Sequence, residues 1–219
     1  MKNEESYSGE GSLEAKNKDS SFFILHSSLK KKIAITGGIG SGKSYVCRML
    51  AEQGIEVYDC DHAAKVLMNS SAALRQQLTQ LIGDNAYLPD GRLNKAVVAQ
   101  FLLKSDANKT AINNVVHPAV AADFENSGKQ WLESAILFES GFDKRIDFTH
   151  VICVTAPLEV RIDRICSRDS ISRQEAQQWI DKQMSQEEKA ARSNFVIDND
   201  GKKDLITQIN IIVNKLNSD

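Results

Sequence analysis

The segment Lys31-Lys32-Ile33-Ala34-Ile35-Thr36, followed at once by Gly37-Gly38-Ile39-Gly40-Ser41-Gly42-Lys43-Ser44, constrains the fold more than any other part of this chain. The first half reads as a short β-branched strand. The second matches G-x-x-x-x-G-K-[ST] from Gly37 to Ser44. Glycines there let backbone N–H groups turn inward around phosphate oxygens, where a Cβ would obstruct. Residues 44–53 then place Val46, Met49 and Leu50 on one helical face, and Gly54 stops the helix. Ile55-Glu56-Val57-Tyr58 reads as a second strand, ending in Asp59-Cys60-Asp61. Strand, phosphate loop, helix, strand, acid is a βαβ unit, which requires a parallel sheet and a right-handed crossover.

Helical spacing continues through Leu74, Leu78, Leu81 and Ile82, then through Val97, Val98, Phe101 and Leu102, with a turn at Leu88-Pro89-Asp90-Gly91. A third helix carries Ile112, Val115 and Val116 and is expected to break at His117-Pro118. Strands are expected at 134–138 and 150–155 and at Phe195-Val196-Ile197-Asp198. Pro157 suits the first turn of a helix, and Ser172-x-x-Glu175 forms a capping box. Leu205, Ile209, Ile212, Val213 and Leu216 mark a closing amphipathic helix. The result is an α/β core of about five parallel strands, interrupted by a helical insert over about residues 62–130 and by an Arg-rich helical pair. Residues 1–30 are polar and aperiodic and read as a disordered extension.

A chain of 219 residues suits one domain with insertions. Its net charge of −2 gives no general pull toward nucleic acid or an anionic membrane. No segment approaches the ~20 apolar residues of a membrane span. Cys47, Cys60, Cys153 and Cys166 form no C-x-x-C pair, and reduced thiols suit a cytoplasmic protein. No obligate protein partner is evident.

Chemistry concentrates in few places. Lys43 can reach the β- and γ-phosphates of a nucleotide, and the Ser44 hydroxyl can ligate Mg²⁺. Asp59 and Asp61 fall at the carboxyl end of a strand, where parallel sheets bind ligands. One of them could take a proton from an attacking hydroxyl or hold a metal-bound water. The alternative for Asp61 is the N-cap of the following helix. Arg161, Arg164 and Arg168 share a helical face suited to phosphate, or merely to solvent. Lys65, Arg92 and Lys95 offer cations to an anionic acceptor. His117 is either a buried helix-break histidine or part of the acceptor site.

A small-molecule kinase and a GTPase-like switch compete. The switch lacks a guanine-reading N-K-x-D, and Asp198-x-x-Gly201 comes too late in the chain for a switch loop. A late Arg-rich helical pair, over about 164–192, is what a water-excluding lid needs. A kinase acting on a nucleoside, nucleotide or shikimate-like alcohol is the alternative within enzymes.

TGGIGSGKS, DCD at a strand end, HP, RICSRD and FVIDNDG, in this order, resemble the dephospho-coenzyme A kinase family over about residues 32–216. The resemblance implies a P-loop NTPase three-layer sandwich with a five-stranded parallel sheet, a helical substrate-binding insert and a lid. It implies transfer of the ATP γ-phosphate to the ribose 3′-hydroxyl of dephospho-CoA, the last step of CoA synthesis. Asp61 takes the catalytic-base position, and Lys43 and Arg164 join it in catalysis. Gly38, Ile39, Gly40, Ser41, Gly42, Lys43, Ser44 and Tyr45, with Arg164, Arg168 and Asn199, fall at ATP-binding positions. Asp61, Lys65, Lys95 and His117 fall on the acceptor side, and Ser44 and Asp59 at metal positions. The chain departs from the family pattern at Lys65 and Lys95, where Arg is usual. It departs again at Glu133 and Ala135, within a stretch usually read D-x-P-L-L-F-E.

Overall fold

A computed structural model describes residues 31–218. The expected disordered extension at 1–30 lies outside them. Five strands form one all-parallel sheet in the order β2-β3-β1-β4-β5. They are β1 (Ile33–Thr36), β2 (Val57–Asp59), β3 (Trp131–Glu133), β4 (His150–Thr155) and β5 (Phe195–Asp198). Side chains alternate across β1 and so define two cores. Ile33 and Ile35 pack with Val46 and Leu50 of α1 (Lys43–Glu52) and with Ile209 and Ile212 of α9 (Leu205–Ser218). Ala34 faces the opposite side, toward the helical insert.

The insert comprises α2 (Cys60–Ser70), α3 (Ala72–Ile82), α4 (Lys95–Lys104) and α5 (Asp106–Ser127). The expected break at His117-Pro118 does not occur, and α5 runs through Pro118. Proline within a helix costs roughly 3 kcal/mol. Ile112, Val116, Val120 and Phe124, four residues apart, bury one face of α5 against α2, α3 and the sheet. Burying each such side chain is worth roughly 1.5–3 kcal/mol, which outweighs the break. Pro118 itself sits on the exposed face.

The strand expected at 134–138 is also displaced. Pairing ends at Glu133, apart from one further bond from Ser134 N to Ile35 O at 3.0 Å. The chain then turns, with Phe142 N donating to Leu137 O at 3.0 Å, and Leu137 and Phe138 pack into the insert core. A short apolar run does not distinguish a strand from a buried turn by periodicity.

The Arg-rich segment folds as α6 (Leu158–Asp169), α7 (Arg173–Asp181) and α8 (Gln186–Ala191). Ser172 and Glu175 form the expected capping box at α7. Ile162, Ile165 and Ala176 make a third small core that includes Ile39 of the glycine loop. The far end of this segment is anchored by Lys189, fully buried, whose Nζ donates to Glu139 at 2.6 Å and to Ala135 O at 2.7 Å. A buried ammonium is tolerable only with such partners.

Candidate active site

The turn from β1 into α1 takes its shape from close neighbours. Gly37 has φ 149°, and a Cβ there would lie 2.2 Å from Val154 O. Gly40 has φ 77°, and its Cβ would lie 2.7 Å from Arg161 O. Backbone blocks both positions, so glycine is required on two counts. The loop carbonyls are drawn outward. Arg161 Nε donates to Ile39 O at 2.9 Å, and Arg164 Nη1 to Gly40 O and Ser41 O, both at 3.3 Å. Asn199 Nδ2 donates to Ser41 O at 2.8 Å, and Arg164 Nη2 to Asn199 Oδ1 at 3.1 Å. The amides of Gly40, Gly42, Lys43 and Ser44 donate to no described residue. Together with the N-terminal end of α1 they form an anion cradle.

A cavity of about 740 Å³ opens over this cradle. Lys43 lies on its wall with only 8% exposure, its Nζ 3.3 Å from Gly38 O and 3.9 Å from Glu133 Oε1. Burial holds the Lys43 amine below its usual range, against the pull of Glu133. Burial likewise pushes the Glu133 carboxyl up to about 7, against the pull of Lys43. Lys43 thus places an amino group on the cavity wall, beside the cradle, with Glu133 within 3.9 Å. Ser44, Tyr45, Asp59, Asp61, Lys65 and Arg168 also line the cavity.

The helix cap falls to Asp59, not Asp61. Asp59 Oδ1 accepts from His62 N at 2.9 Å, because α2 begins at Cys60. Asp61 therefore stands in the first turn, exposed, with no side-chain hydrogen bond to a described residue. It also borders a second cavity of about 180 Å³ between α2 and α5. Ile136 lines both spaces as well.

His117 lines the second cavity, stacked edge-to-face on Phe142 with ring centroids 5.4 Å apart. Its Nδ1 is buried without a hydrogen-bond partner among the described residues. Burial, helped by Arg145, lowers its pKa from 6.5 to about 4. The folded state then binds fewer protons than the unfolded chain between those values, so stability falls as pH drops from 6.5 toward 4. A His117→Phe variant is expected to have a flatter acid limb in urea-melt stability over that window, while an unchanged slope would dissociate the effect from His117.

The other expected residues separate. Lys95 is exposed at the start of α4 and lines neither cavity. Gly38, Ser41 and Asn199 stand behind the cavity wall, Asn199 as the brace described above. Arg164 reaches the cavity, but its guanidinium is already bonded to the loop carbonyls. Arg168 is half-exposed and paired with Asp169 at 2.7 Å. Three residues beyond those placed at ATP, acceptor or metal positions matter. Arg161, 6% exposed, braces the loop from below. Gln183 lines the cavity and binds Ile39 N at 2.8 Å. Glu133 escaped because a strand starting at 134 would put it at the wrong end. With β3 ending there, the strand-end rule that marked Asp59 marks Glu133 too.

A phosphate cradle with its lysine is common to many nucleotide-binding proteins, but an acid between that cradle and a second cavity suits phosphoryl transfer, and the chain is a P-loop kinase by fold and site. The dephospho-CoA kinase family model matches residues 31–204, and the chain belongs to that family. A dephospho-CoA kinase of Bacteroides fragilis is 41% identical over 189 residues, spanning 81% of this chain and 89% of that protein. The Salinibacter ruber dephospho-CoA kinase is 36% identical over 77% of this chain and 88% of its own. Among solved structures, a Thermus thermophilus protein superposes with a TM-score of 0.72 at 30% identity, covering 85% of this chain and 97% of that one. A shikimate kinase from Acinetobacter baumannii shares the fold, with a TM-score of 0.52 at 15% identity over 86% of this chain and 93% of its own.

Proposed function

We propose that this protein transfers the γ-phosphate of ATP to the ribose 3′-hydroxyl of dephospho-CoA, completing coenzyme A. The observation that carries the reading is the position of Asp61, on the border between the cradle's cavity and the smaller one beneath α5. The loop amides and Lys43 hold the β- and γ-phosphates. The exposed Asp61 carboxylate orients the acceptor hydroxyl and takes its proton. Arg168 faces the donor cavity and adds positive charge there, and Arg164 keeps the loop in register. Lys65 supplies a cation on the acceptor side, and His117 borders the space for the acceptor's body.

The donor set fits Mg²⁺ as kinases use it. No group of three or more His, Cys, Asp or Glu side chains converges among the described residues, whereas Mg²⁺ needs only one or two protein oxygens besides phosphate and water. Ser44 and the free oxygen of Asp59 would hold it, with Glu133 nearby, and bound Mg²⁺ would neutralise phosphate charge. Residues 164–192 serve as the lid. Among the described residues no helix is long and apolar enough to cross a membrane. The four cysteines are free, as suits the cytoplasm.

The test is ADP release from ATP and Mg²⁺ with dephospho-CoA, adenosine, AMP, CMP or shikimate added singly. Stimulation by dephospho-CoA alone, with a product of CoA mass, is expected. Stimulation by a different acceptor would keep the kinase and overturn the substrate.

A further inference from the structure

Gln183 lies in the connection between α7 and α8, remote in sequence from the glycine loop, yet its Oε1 accepts from Ile39 N at 2.8 Å. The geometry of that bond decides which way the carboxamide points. A backbone N–H can only donate, so the oxygen end must face Ile39. The amino end, Nε2, is then turned away from Ile39, and it makes no hydrogen bond to any described residue. Gln183 is half-buried and lines the donor cavity beside Lys43 and Arg168.

The contact is held from both sides. Ile39 O is bonded to Arg161, so both peptide groups flanking Ile39 are anchored. On the other side, Met184 N donates to Glu139 at 3.2 Å, and Gln186 Oε1 accepts from Ala156 N at 2.8 Å. Gln183 thus sits at the root of the Arg-rich segment, fixed to the core on one side and to the phosphate loop on the other. A residue merely bracing the loop would need only its acceptor. The carboxamide brings in addition two N–H donors without charge, within one side-chain group's reach of the cradle.

We propose that Gln183 is a catalytic residue that donates through Nε2 to the oxygens of the γ-phosphoryl group, with its bond to Ile39 setting the orientation. This rests on the donor-site reading of the cavity given above. Nucleoside diphosphate lacks the group that Gln183 would contact. Triphosphate should therefore gain an interaction that diphosphate does not.

The experiment measures equilibrium binding of ADP and of a non-hydrolysable β,γ-imido analogue of ATP, both with Mg²⁺, to the wild-type protein and to Gln183→Glu and Gln183→Met. Glutamate retains an acceptor for Ile39 N but replaces the amino donor by an anionic oxygen. Methionine keeps the volume and removes both functions without adding charge. Both variants are expected to weaken the imido analogue by about tenfold or more, the scale of one charge-assisted hydrogen bond, and to leave ADP unchanged. Turnover should fall in parallel in both. Wild-type affinity for both nucleotides in either variant overturns the proposal. Equal weakening of both nucleotides overturns it as well, since that is what a purely structural brace produces. Wild-type protein that binds neither nucleotide overturns the donor-site reading itself, and this inference with it.

Discussion

Lys43→Met is expected to lower kcat for phosphoryl transfer by roughly 10²–10³-fold, the range seen when one preorganised charge-stabilising donor is removed from an active site. The reason lies in how little else near the γ-phosphate position is cationic and uncommitted. Arg164 is spent on the Gly40 and Ser41 carbonyls and on Asn199, and Arg161 on Ile39 O. Arg168 stands at the outer edge, paired with Asp169. Lys43, buried on the wall of the cradle's cavity, has only long contacts, 3.3 Å to Gly38 O and 3.9 Å to Glu133 Oε1, that a phosphate can replace. Removing the ammonium also removes the charge that draws down the Glu133 carboxyl, so in the variant burial raises it further and favours its neutral form. A neutral buried acid costs far less than an unpaired carboxylate, so the variant should fold. Steady-state transfer assays beside a thermal melt check this. Collapse of the melt would make the activity loss uninterpretable as chemistry, whereas an intact melt with near-normal kcat would remove Lys43 from the mechanism.

Asp61→Asn is expected to lower kcat by about 10²–10⁴-fold, the usual worth of a positioned general base, with little change in KM for ATP. Asparagine keeps the size and place of the side chain but cannot accept the proton. Asp61 is exposed and carries no cap, so its loss should not cost stability. Asp59 differs in this respect, because its Oδ1 caps α2. The two acids, two residues apart, therefore separate by experiment: Asp61 in kcat, Asp59 partly in stability. A normal kcat in Asp61→Asn would transfer the base role elsewhere, and Glu133, facing the same cavity, would be the first place to look.

The phosphate loop and its flanking strand and helix were legible because their chemistry is local. Glycine spacing, a lysine at the helix start and a β-branched strand each depend only on nearby residues. So were β4, β5, α9 and the Ser172–Glu175 capping box, whose hydrophobic period or cap lies within one element. Position along the chain also separated Asp59 and Asp61 from the many other acids. Local signals failed where a distant surface reversed them. Pro118 should end a helix, but the buried face of Ile112, Val116, Val120 and Phe124 extends it. Residues 134–138 have strand composition, but Leu137 and Phe138 are needed in the insert core, so β3 ends early and delivers Glu133 to the crevice.

Long-range hydrogen bonding was equally invisible. Which of the three α6 arginines supports the loop and which meets solvent depends on packing 122 to 124 residues away in sequence, at Ile39 to Ser41. The same holds for Gln183 on Ile39 N and for Lys189 buried on Glu139. Spacing along the chain specifies which residues share a face of one element. Only the closing of α6 to α8 over the sheet decides which side chains are desolvated, what they pair with, and hence which remain free to touch a phosphate.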